Sequence, residues 1–433
     1  MRADIDRSFD LTERLEGVRL MIGVACSLNI RLFQLGFFGS STFCDSRDEI
    51  YVTQPKGFKN PIFPEYVYKL KQDLCGLKQA PYGWYRKLTE FLTEHGFERG
   101  NANKTMFVLK RDMNLLIVQT FDHNIVFGST RNELAFNFVE MMKRKFEMVM
   151  VGEMTYCLGL QIKQTNGGIY ISQESAAKNI LRKLEVQMNR ESQTPMGTDL
   201  RMSRSEHEER ADAELYEEMM SGLLQLTATR PDISFSVGVC ARYLEDPRMS
   251  HFHAARRILT YVKGTTSLGL FYSKDTNQSL ASFCDSDWAG NRDDGKSISG
   301  GCLMMGNNLI SWYSKKQRYI ARSTGEAQID AFGNCYTQLV WIKQLLFDYG
   351  IVVPSISIFS DKPDCINALK DITHHELDKH IDIRHHVVQE LIANKTIKMS
   401  YVSSENQIAK LFTKPLNFIS FSNFKNSIGM CDH

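Results

Sequence analysis

The sequence has no Cys-x-x-Cys pair, although it contains 10 cysteines. The cysteines stand singly along the chain, so a zinc ribbon or a thioredoxin-like redox site is not supported, and a reducing compartment is favoured. The sequence also lacks an apolar run that suits a signal peptide or a membrane span, because the longest early stretch, from Leu20 to Cys26, is too short. We therefore expect a soluble intracellular protein with no membrane partner.

A strong positive charge is also missing. The chain carries 52 Lys and Arg against 50 Asp and Glu, which gives a net charge of +2. Nucleic-acid binding would therefore depend on local clusters, for which Arg256 with Arg257 and Lys315 with Lys316 are the candidates. Basic pairs on solvated faces are more common than binding sites, so both interpretations stay open. The 433 residues, 43% hydrophobic, indicate a globular protein of two or three domains.

The hydrophobic pattern predicts a mixed α/β protein. The first half shows a helix with a capping-box start at Asp10, a short strand, a helix that Gly96 ends, and two hairpins. These segments cover residues 10–25, 30–34, 82–95, 115–127 and 156–172. A polar segment near 188–215 is a candidate linker, and a helix is expected at 251–263. From residue 280 the pattern is strand, hairpin, long helix and strand, over 280–285, 301–313, 323–349 and 355–359.

Several long motifs run along the chain. The first half contains EIYVTQPKGF at 49–58, LCGLKQAP at 74–81 and VGEMTYCLGL at 151–160. TATRPDI follows at 227–233, and the last part contains CDSDWAG at 284–290, STGEA at 323–327, KHIDIR at 379–384 and FTKPL at 412–416. In this order, and over nearly the whole chain, these motifs resemble the reverse transcriptase and ribonuclease H of the copia-type LTR retrotransposon Pol polyprotein, in a degenerate and truncated copy.

The resemblance implies an α/β (α+β) architecture. It implies a reverse transcriptase palm with truncated fingers over residues 1–187 and a helical thumb or connection with a linker over 188–275. A ribonuclease H-like α/β domain is implied over 276–420, followed by a tail over 421–433. The family's partners are RNA, DNA or an RNA–DNA hybrid, and Mg²⁺ is its cofactor for both reactions. The oligomeric state is left open.

The polymerase of this family holds its metal ions with one aspartate at a strand end and an aspartate pair at a hairpin turn. The matching positions here are Gly36, His123 and Asn124, none of which is a carboxylate. Asp122 lies one residue early and would face the other side of the strand. We therefore predict that polymerase activity is absent. Gln79 resembles a residue near the incoming nucleotide, with Lys78 beside it, and surface polarity explains both equally well.

The ribonuclease H of the family uses about four carboxylates around two metal ions. Asp285 and Asp361 match two of these carboxylates, each at the end of a strand. The alternative is that both residues only cap loops. Gln328 and Lys410 stand at the other two positions. The amide of Gln328 is neutral, and Lys410 would repel each Mg²⁺ by roughly 8 kcal/mol at about 4 Å and a dielectric near 20, as an upper bound. Glu326 fits a capping box instead.

Two further features bear on function. Five histidines stand close together at 374, 375, 380, 385 and 386, but their spacing is not that of a zinc site, and the family pattern accounts for most of them. The irregular run from Phe37 to Cys44 favours a catalytically inactive relic, a pseudoenzyme. The alternatives are a catalytically dead module that binds RNA–DNA hybrid and a weak residual ribonuclease H.

Overall fold

The structure is a computed structural model. It describes residues 14–37, 51–69, 80–121, 124–185, 192–200, 202–204, 207–370, 392, 394 and 396–432. The chain divides into two compact units. The first contains Ile30–Met154, and the second combines Leu15–Asn29 with Thr155–His433. These units follow from contacts within the chain, and the domain boundaries expected after residues 187, 275 and 420 stay predictions.

The first unit is built on a six-stranded sheet with the strand order β4-β5-β6-β7-β1-β8. Its strands are β1 (Arg31–Phe37), β4 (Glu98–Arg99), β5 (Met106–Arg111), β6 (Asn114–Thr120), β7 (Asn124–Ser129) and β8 (Met148–Glu153). A separate two-stranded sheet pairs β2 (Tyr51–Thr53) with β3 (Val67–Lys69). Two helices, α2 (Ala80–Glu94) and α3 (Asn132–Lys145), complete the unit.

Side chains of α2 and α3 share one hydrophobic core with the sheet. Trp84 and Leu88 of α2 and Phe138 of α3 belong to the same buried cluster as Phe107 and Phe127 of the strands. Burial of such a cluster contributes about 1.5–3 kcal/mol for each large side chain. The sheet is also closely packed at Gly128, where a Cβ would lie 2.5 Å from the carbonyl oxygen of Arg31. The core therefore fixes β1 and β7 side by side.

The second unit begins with α1 (Leu15–Ser27) and a five-stranded sheet with the order β18-β12-β11-β10-β9. The strands are β9 (Tyr156–Cys157), β10 (Leu160–Gln164), β11 (Gly168–Ser172), β12 (Leu268–Ser273) and β18 (Met430–Asp432). The helices are α4 (Glu174–Lys183), α5 (Ala213–Leu226), α6 (Pro231–Cys240) and α7 (Met249–Lys263). The buried Arg230 and Asp232 form an ion pair of 2.8 Å at the start of α6.

A second sheet of this unit has the order β15-β14-β13-β16-β17. Strands β13 (Leu280–Asp287), β14 (Ile298–Met305) and β15 (Asn308–Lys316) are antiparallel, whereas β16 (Ile356–Ser360) and β17 (Ile397–Tyr401) run parallel to β13. The helices are α8 (Thr324–Asp348), α9 (Pro363–Lys370) and α10 (Phe418–Ser427), with a short 3-10 helix at Ile408–Phe412. Ser323 caps α8 by accepting a hydrogen bond from Glu326 N, as the capping motif predicts.

The α/β class predicted from the sequence is confirmed. The hairpins expected near residues 120, 166 and 307 are formed by β6 with β7, β10 with β11 and β14 with β15. The helix expected to end at Gly96 and the long helix expected to end at Gly350 do so, and both glycines have a positive φ. Among the residues that the structure describes, no helix is both long and apolar enough to cross a membrane.

Candidate active site

The two strands that were predicted to carry the polymerase carboxylates are neighbours in the first unit. β1 and β7 are antiparallel, and Gly36 lies opposite Asn124. A Cβ on Gly36 would lie 3.5 Å from Asn124 Oδ1 and 3.3 Å from Val151 Cγ2. The structure therefore brings these two positions together, but one has no side chain and the other carries an exposed amide. Asp122, His123, Lys78 and Gln79 lie outside the described residues.

Asp285, the first ribonuclease H candidate, is a buried carboxylate on β13. Its side chain accepts a hydrogen bond of 2.8 Å from Thr413 Oγ1, and only 1% of the residue is exposed. Burial raises the pKa of Asp285 because water no longer solvates the charged form, and the negative charge of Asp361 raises it further. The Thr413 hydrogen bond and the charges of Lys414 and Lys362 lower the pKa, but they do not offset burial.

Asp361, the second candidate, comes directly after β16 and is held by a lysine. Lys410 Nζ lies 2.8 Å from Asp361 Oδ2, and the two side chains are 11% and 8% exposed. Lys410 also donates to the carbonyl oxygen of Ser404, at 3.0 Å. The other carboxylate oxygen, Asp361 Oδ1, is buried without a hydrogen-bond partner. The ammonium group therefore supplies the positive charge that a metal ion would supply beside this carboxylate.

Gln328, on the first turns of α8, is fully buried and fully bonded. Its Oε1 accepts from Ser286 Oγ at 3.0 Å, and its Nε2 donates to Cys284 O at 3.1 Å and to Ser360 Oγ at 3.3 Å. Ser286 and Ser360 each stand next to one of the two aspartates in the chain. A glutamate here would turn an acceptor oxygen towards the Cys284 carbonyl, so the neutral amide suits these contacts better than a carboxylate.

Gln407 is a member of this region that the sequence analysis missed. It is completely buried, and its Nε2 donates to Cys284 O at 3.1 Å and to Phe359 O at 3.4 Å. The register between β13 and β16 ends at Phe283 opposite Phe359. The amides of Gln328 and Gln407 thus bond backbone carbonyls just where the two strands stop pairing. Gln407 lies five residues before the FTKPL motif, and nothing else in the sequence marks it, since burial of a polar residue leaves no pattern.

In each basic pair predicted from the sequence, one side chain is exposed and the other is bound to a residue of the chain. Arg256 is exposed on α7, whereas Arg257 donates to the carbonyl and hydroxyl oxygens of Thr194, at 3.2 and 3.0 Å. Lys315 is exposed on β15, whereas Lys316 Nζ lies 2.9 Å from Asp294 Oδ2. Of the candidate pair on α7, Arg256 is therefore exposed, whereas the side chain of Arg257 anchors a loop.

The described residues do not fit a pair of Mg²⁺ ions. Two carboxylates are present, and one of them is engaged by Lys410. Nowhere in the described ranges do three or more His, Cys, Asp or Glu side chains lie together in a way that could hold a metal ion. The five histidines between 374 and 386 lie outside those ranges. Mg²⁺ needs several hard oxygen ligands, and a neutral amide with an ammonium group does not provide them.

Comparison with known proteins gives a consistent set of relatives. Residues 2–198 match the family model of reverse transcriptase (RNA-dependent DNA polymerase). The Retrovirus-related Pol polyprotein from transposon RE1 of Arabidopsis thaliana is 30% identical over 429 residues, which is 99% of this chain and 29% of that protein. The Pol polyprotein from transposon TNT 1-94 of Nicotiana tabacum is 27% identical over 438 residues, covering 99% and 33%. This chain thus spans about a third of the length of these relatives.

A solved structure of the foamy viral protease-reverse transcriptase in complex with RNA/DNA hybrid also matches. Its TM-score is 0.47 at 9% identity, over 86% of this chain and 44% of that one.

The family-model match identifies residues 2–198 as related to reverse transcriptase. More narrowly, the chain belongs to the copia-type retrotransposon Pol polyprotein family, and its reverse transcriptase match covers residues 2–198. The resemblance seen in the sequence is confirmed.

Proposed function

We propose that this retrotransposon-derived region is catalytically inactive as a polymerase and as a ribonuclease H, and that Lys410 blocks the nuclease site. The observation that carries the proposal is the ion pair between Lys410 Nζ and Asp361 Oδ2, at 2.8 Å. A metal ion that approached Asp361 would have to displace the ammonium group of Lys410, whose side chain is 11% exposed. It would also meet that charge at close range, where a divalent ion is repelled by several kcal/mol.

Two further features of the nuclease region support inactivity. The raised pKa of Asp285 shows that its environment disfavours the ionised form that a metal ion needs. Gln328 offers one amide oxygen, which already accepts a hydrogen bond from Ser286. Two-metal hydrolysis needs metal ions that hold both the attacking and the leaving oxygen. Asp361 is engaged by Lys410 and Asp285 is desolvated, so these two carboxylates do not hold two metal ions.

The polymerase positions support the same conclusion by a simpler argument. Gly36 has no ligand atom, and Asn124, opposite it, has one neutral amide oxygen. Mg²⁺ in nucleotidyl transfer needs carboxylates that converge on it from both strands. Neither β1 nor β7 supplies one at these positions.

The experiment measures cleavage of a labelled RNA–DNA hybrid by the purified full chain in Mg²⁺ or Mn²⁺. We expect no cleavage by the unmodified chain and measurable cleavage by the double variant Gln328→Glu/Lys410→Asp. Lys398→Asp is the matched control, because it reverses the charge of an exposed lysine on β17 in the same sheet. Adding Asp285→Asn to the double variant should abolish the gain.

Two outcomes would overturn the proposal. Cleavage by the unmodified chain that Asp285→Asn removes would mean that a working ribonuclease H survives with substituted ligands. Equal gains from Gln328→Glu/Lys410→Asp and Lys398→Asp would mean that general surface charge, and not the Lys410–Asp361 pair, limits the reaction.

As a second candidate function we propose binding of RNA, DNA or an RNA–DNA hybrid without catalysis. The observation that favours it is the exposure of Arg256 and Lys315, whose side chains form no ion pair among the described residues. Such binding would weaken steeply with salt, since it releases counterions from the nucleic acid. A gel shift at several salt concentrations measures it, and no shift at low salt would exclude it.

A further inference from the structure

His251 is a fully buried histidine in the first turn of α7, in the second unit. Its Nδ1 accepts a hydrogen bond from the backbone N–H of Arg248 at 3.0 Å, and its Nε2 lies 3.1 Å from the carbonyl oxygen of Ser203. A backbone N–H only donates and a carbonyl only accepts, so Nδ1 carries no proton and Nε2 carries one. The neutral imidazole therefore satisfies both contacts, and the protonated imidazole does not.

The contact with Arg248 caps a helix. Arg248 is the N-cap residue of α7, and His251 stands three residues later. In a capping box, the acceptor for the N-cap N–H is usually a glutamate or glutamine side chain. Here the acceptor is an imidazole, which titrates closer to neutral pH. Protonation would place an Nδ1–H opposite the N–H of Arg248, so two donors would face each other and the cap would be lost.

The contact with Ser203 belongs to a strap, which we define as residues 203–211 and of which the structure describes 203–204 and 207–211. Backbone hydrogen bonds also tie the strap to the chain that enters α7, from Met249 N to Glu209 O at 3.0 Å and from Ala211 N to Pro247 O at 2.9 Å. His251 therefore bonds the strap through one nitrogen and the entry of α7 through the other.

The charged and titratable groups beside His251, among the described residues, are Tyr243, Glu208, Asp293 and Arg248. The ring of Tyr243 is stacked on the imidazole, with 3.8 Å between the ring centroids. The carboxylates of Glu208 and Asp293 favour the protonated form, and the guanidinium of Arg248 opposes it. Burial outweighs the carboxylates and lowers the pKa of His251 from its ordinary value of 6.5.

We propose that His251 is a pH-sensitive latch, which holds the strap against α7 when it is neutral and releases the strap when it is protonated. Opening of the strap exposes the imidazole to water, where it binds a proton at its ordinary pKa, whereas the closed form resists protonation. The latch is therefore closed at pH 7.5, and it weakens as the pH falls through about 6.5. It shares no residue with the nuclease region, so it does not depend on whether that region is active.

The test is hydrogen exchange of the full chain, followed by mass spectrometry at pH 7.5 and 5.5 and expressed as protection relative to intrinsic exchange. The amides of Met249 and Ala211 report on the strap, because their hydrogen bonds join it to the entry of α7. We expect the protection of these amides to fall about tenfold at pH 5.5, since one proton then binds the open form. Ordinary carboxylates stay ionised over this range and do not contribute.

His251→Asn keeps an acceptor for the N–H of Arg248, but it does not take up a proton in this pH range. The variant loses the bond to Ser203, so its protection should be lower at pH 7.5 and should not change with pH. The matched control is His207→Asn/His253→Asn, which removes two exposed histidines, one in the strap and one on α7. The control should keep the tenfold change.

Equal protection of the strap amides at both pH values in the unmodified chain would overturn the latch. A tenfold change that persists in His251→Asn would overturn it as well. If His251→Asn does not fold, the unmodified chain still decides, because the amides of the hairpin formed by β10 and β11 in the same unit should keep their protection. Equal losses in the hairpin and the strap would indicate general destabilisation by acid and would also contradict the proposal.

Discussion

The positions matched to the polymerase site in the first unit and those matched to the nuclease site in the second lack carboxylates in physically different ways. At the first, Gly36 and Asn124 face each other across paired strands, and nothing has replaced the missing charge. At the second, two aspartates remain, and Lys410 has taken the place of a cation beside one of them. The difference follows burial. Asn124 is exposed and needs no compensation, whereas the side chain of Asp361 is only 8% exposed and does need it.

We therefore propose that the residues matched to the nuclease site form a structural polar cluster. Its carboxylates accept bonds from Lys410 and Thr413, and the two amides bond the carbonyls where β13 and β16 separate. A cluster of this kind is sensitive to removal of one partner, since a buried group is then left alone. Stability at the polymerase positions does not depend on a charged partner in this way. Stability measurements can separate the two regions without any activity assay.

The largest effect is expected for Lys410→Met. The change leaves Asp361 buried with neither oxygen compensated, because Oδ1 already lacks a partner. We expect local stability to fall by about 3–5 kcal/mol. The measurement is native-state hydrogen exchange of the β13 and β16 amides in the full chain, which reports local opening free energies.

The double variant Lys410→Met/Asp361→Asn is the control for that prediction. It removes both charges, so it should recover to within about 1 kcal/mol of the unmodified chain. Equal losses in the single and the double variant would show that packing of the lysine stem, and not the charge of Asp361, is what matters there.

The next effect concerns metal binding. Mg²⁺ should not change the thermal unfolding midpoint of the unmodified chain, whereas Gln328→Glu/Lys410→Asp should be stabilised by about 2.7 kcal/mol at a concentration 100 times its Kd. The reason is that four carboxylates would then converge where two remain now. The measurement is a thermal shift at increasing Mg²⁺, with Lys398→Asp as the control. A shift of equal size in the unmodified chain would contradict the assignment of Lys410.

Much of this comparison was readable from the sequence. The strands, the long helix and the two aspartates follow from hydrophobic periodicity and from motif positions, and the identity of residues 36, 328 and 410 follows from counting along the motifs. Counting along the motifs also placed Lys410 at a carboxylate position, where its charge would repel Mg²⁺. The structure adds that the lysine is paired, which a sequence does not show because residues 361 and 410 are far apart in the chain.

The parts that could not be foreseen depend on tertiary contacts. Gln407 gave no signal, since its importance comes from the carbonyls of Cys284 and Phe359 that the fold places beside it. Arg256 and Arg257 are adjacent and chemically identical, yet one is exposed and the other binds Thr194. Which of two neighbouring side chains faces solvent is decided by the loop that packs against α7, and local sequence does not encode it.

A smaller effect is expected at the polymerase positions. Gly36→Asp/Asn124→Asp would place two carboxylates opposite each other on β1 and β7, and the new Cβ would lie 3.3 Å from Val151 Cγ2. Like charges across strands and this crowding should reduce stability by about 1 kcal/mol in EDTA. Hydrogen exchange of the β1 and β7 amides measures the loss.

Gly36→Ala isolates the crowding in that comparison, and Asn124→Asp isolates the charge. A loss in the double variant no larger than that of Gly36→Ala alone would mean that the two carboxylates do not face each other, against the strand register.

The smallest effect separates the two aspartates of the nuclease region. The pKa of Asp285 is raised by burial, so the folded chain binds a proton there more tightly than the unfolded chain. Ionisation of Asp285 therefore costs stability as the pH rises from the ordinary aspartate value through the folded pKa. Asp285→Asn keeps an acceptor for Thr413 and removes this cost. It should raise stability at pH 7 by up to about 1 kcal/mol, and the gain should vanish below about pH 3.8, where both states are protonated. Thermal unfolding of the full chain between pH 3 and 8 measures this gain in stability.

Asp361→Asn is the matched comparison and should be destabilising at pH 7, because it leaves the Lys410 ammonium group without its charged partner. Opposite signs for Asp285 on β13 and Asp361 after β16 would show that the first carries an uncompensated charge and the second a compensated one, and equal signs would remove that distinction.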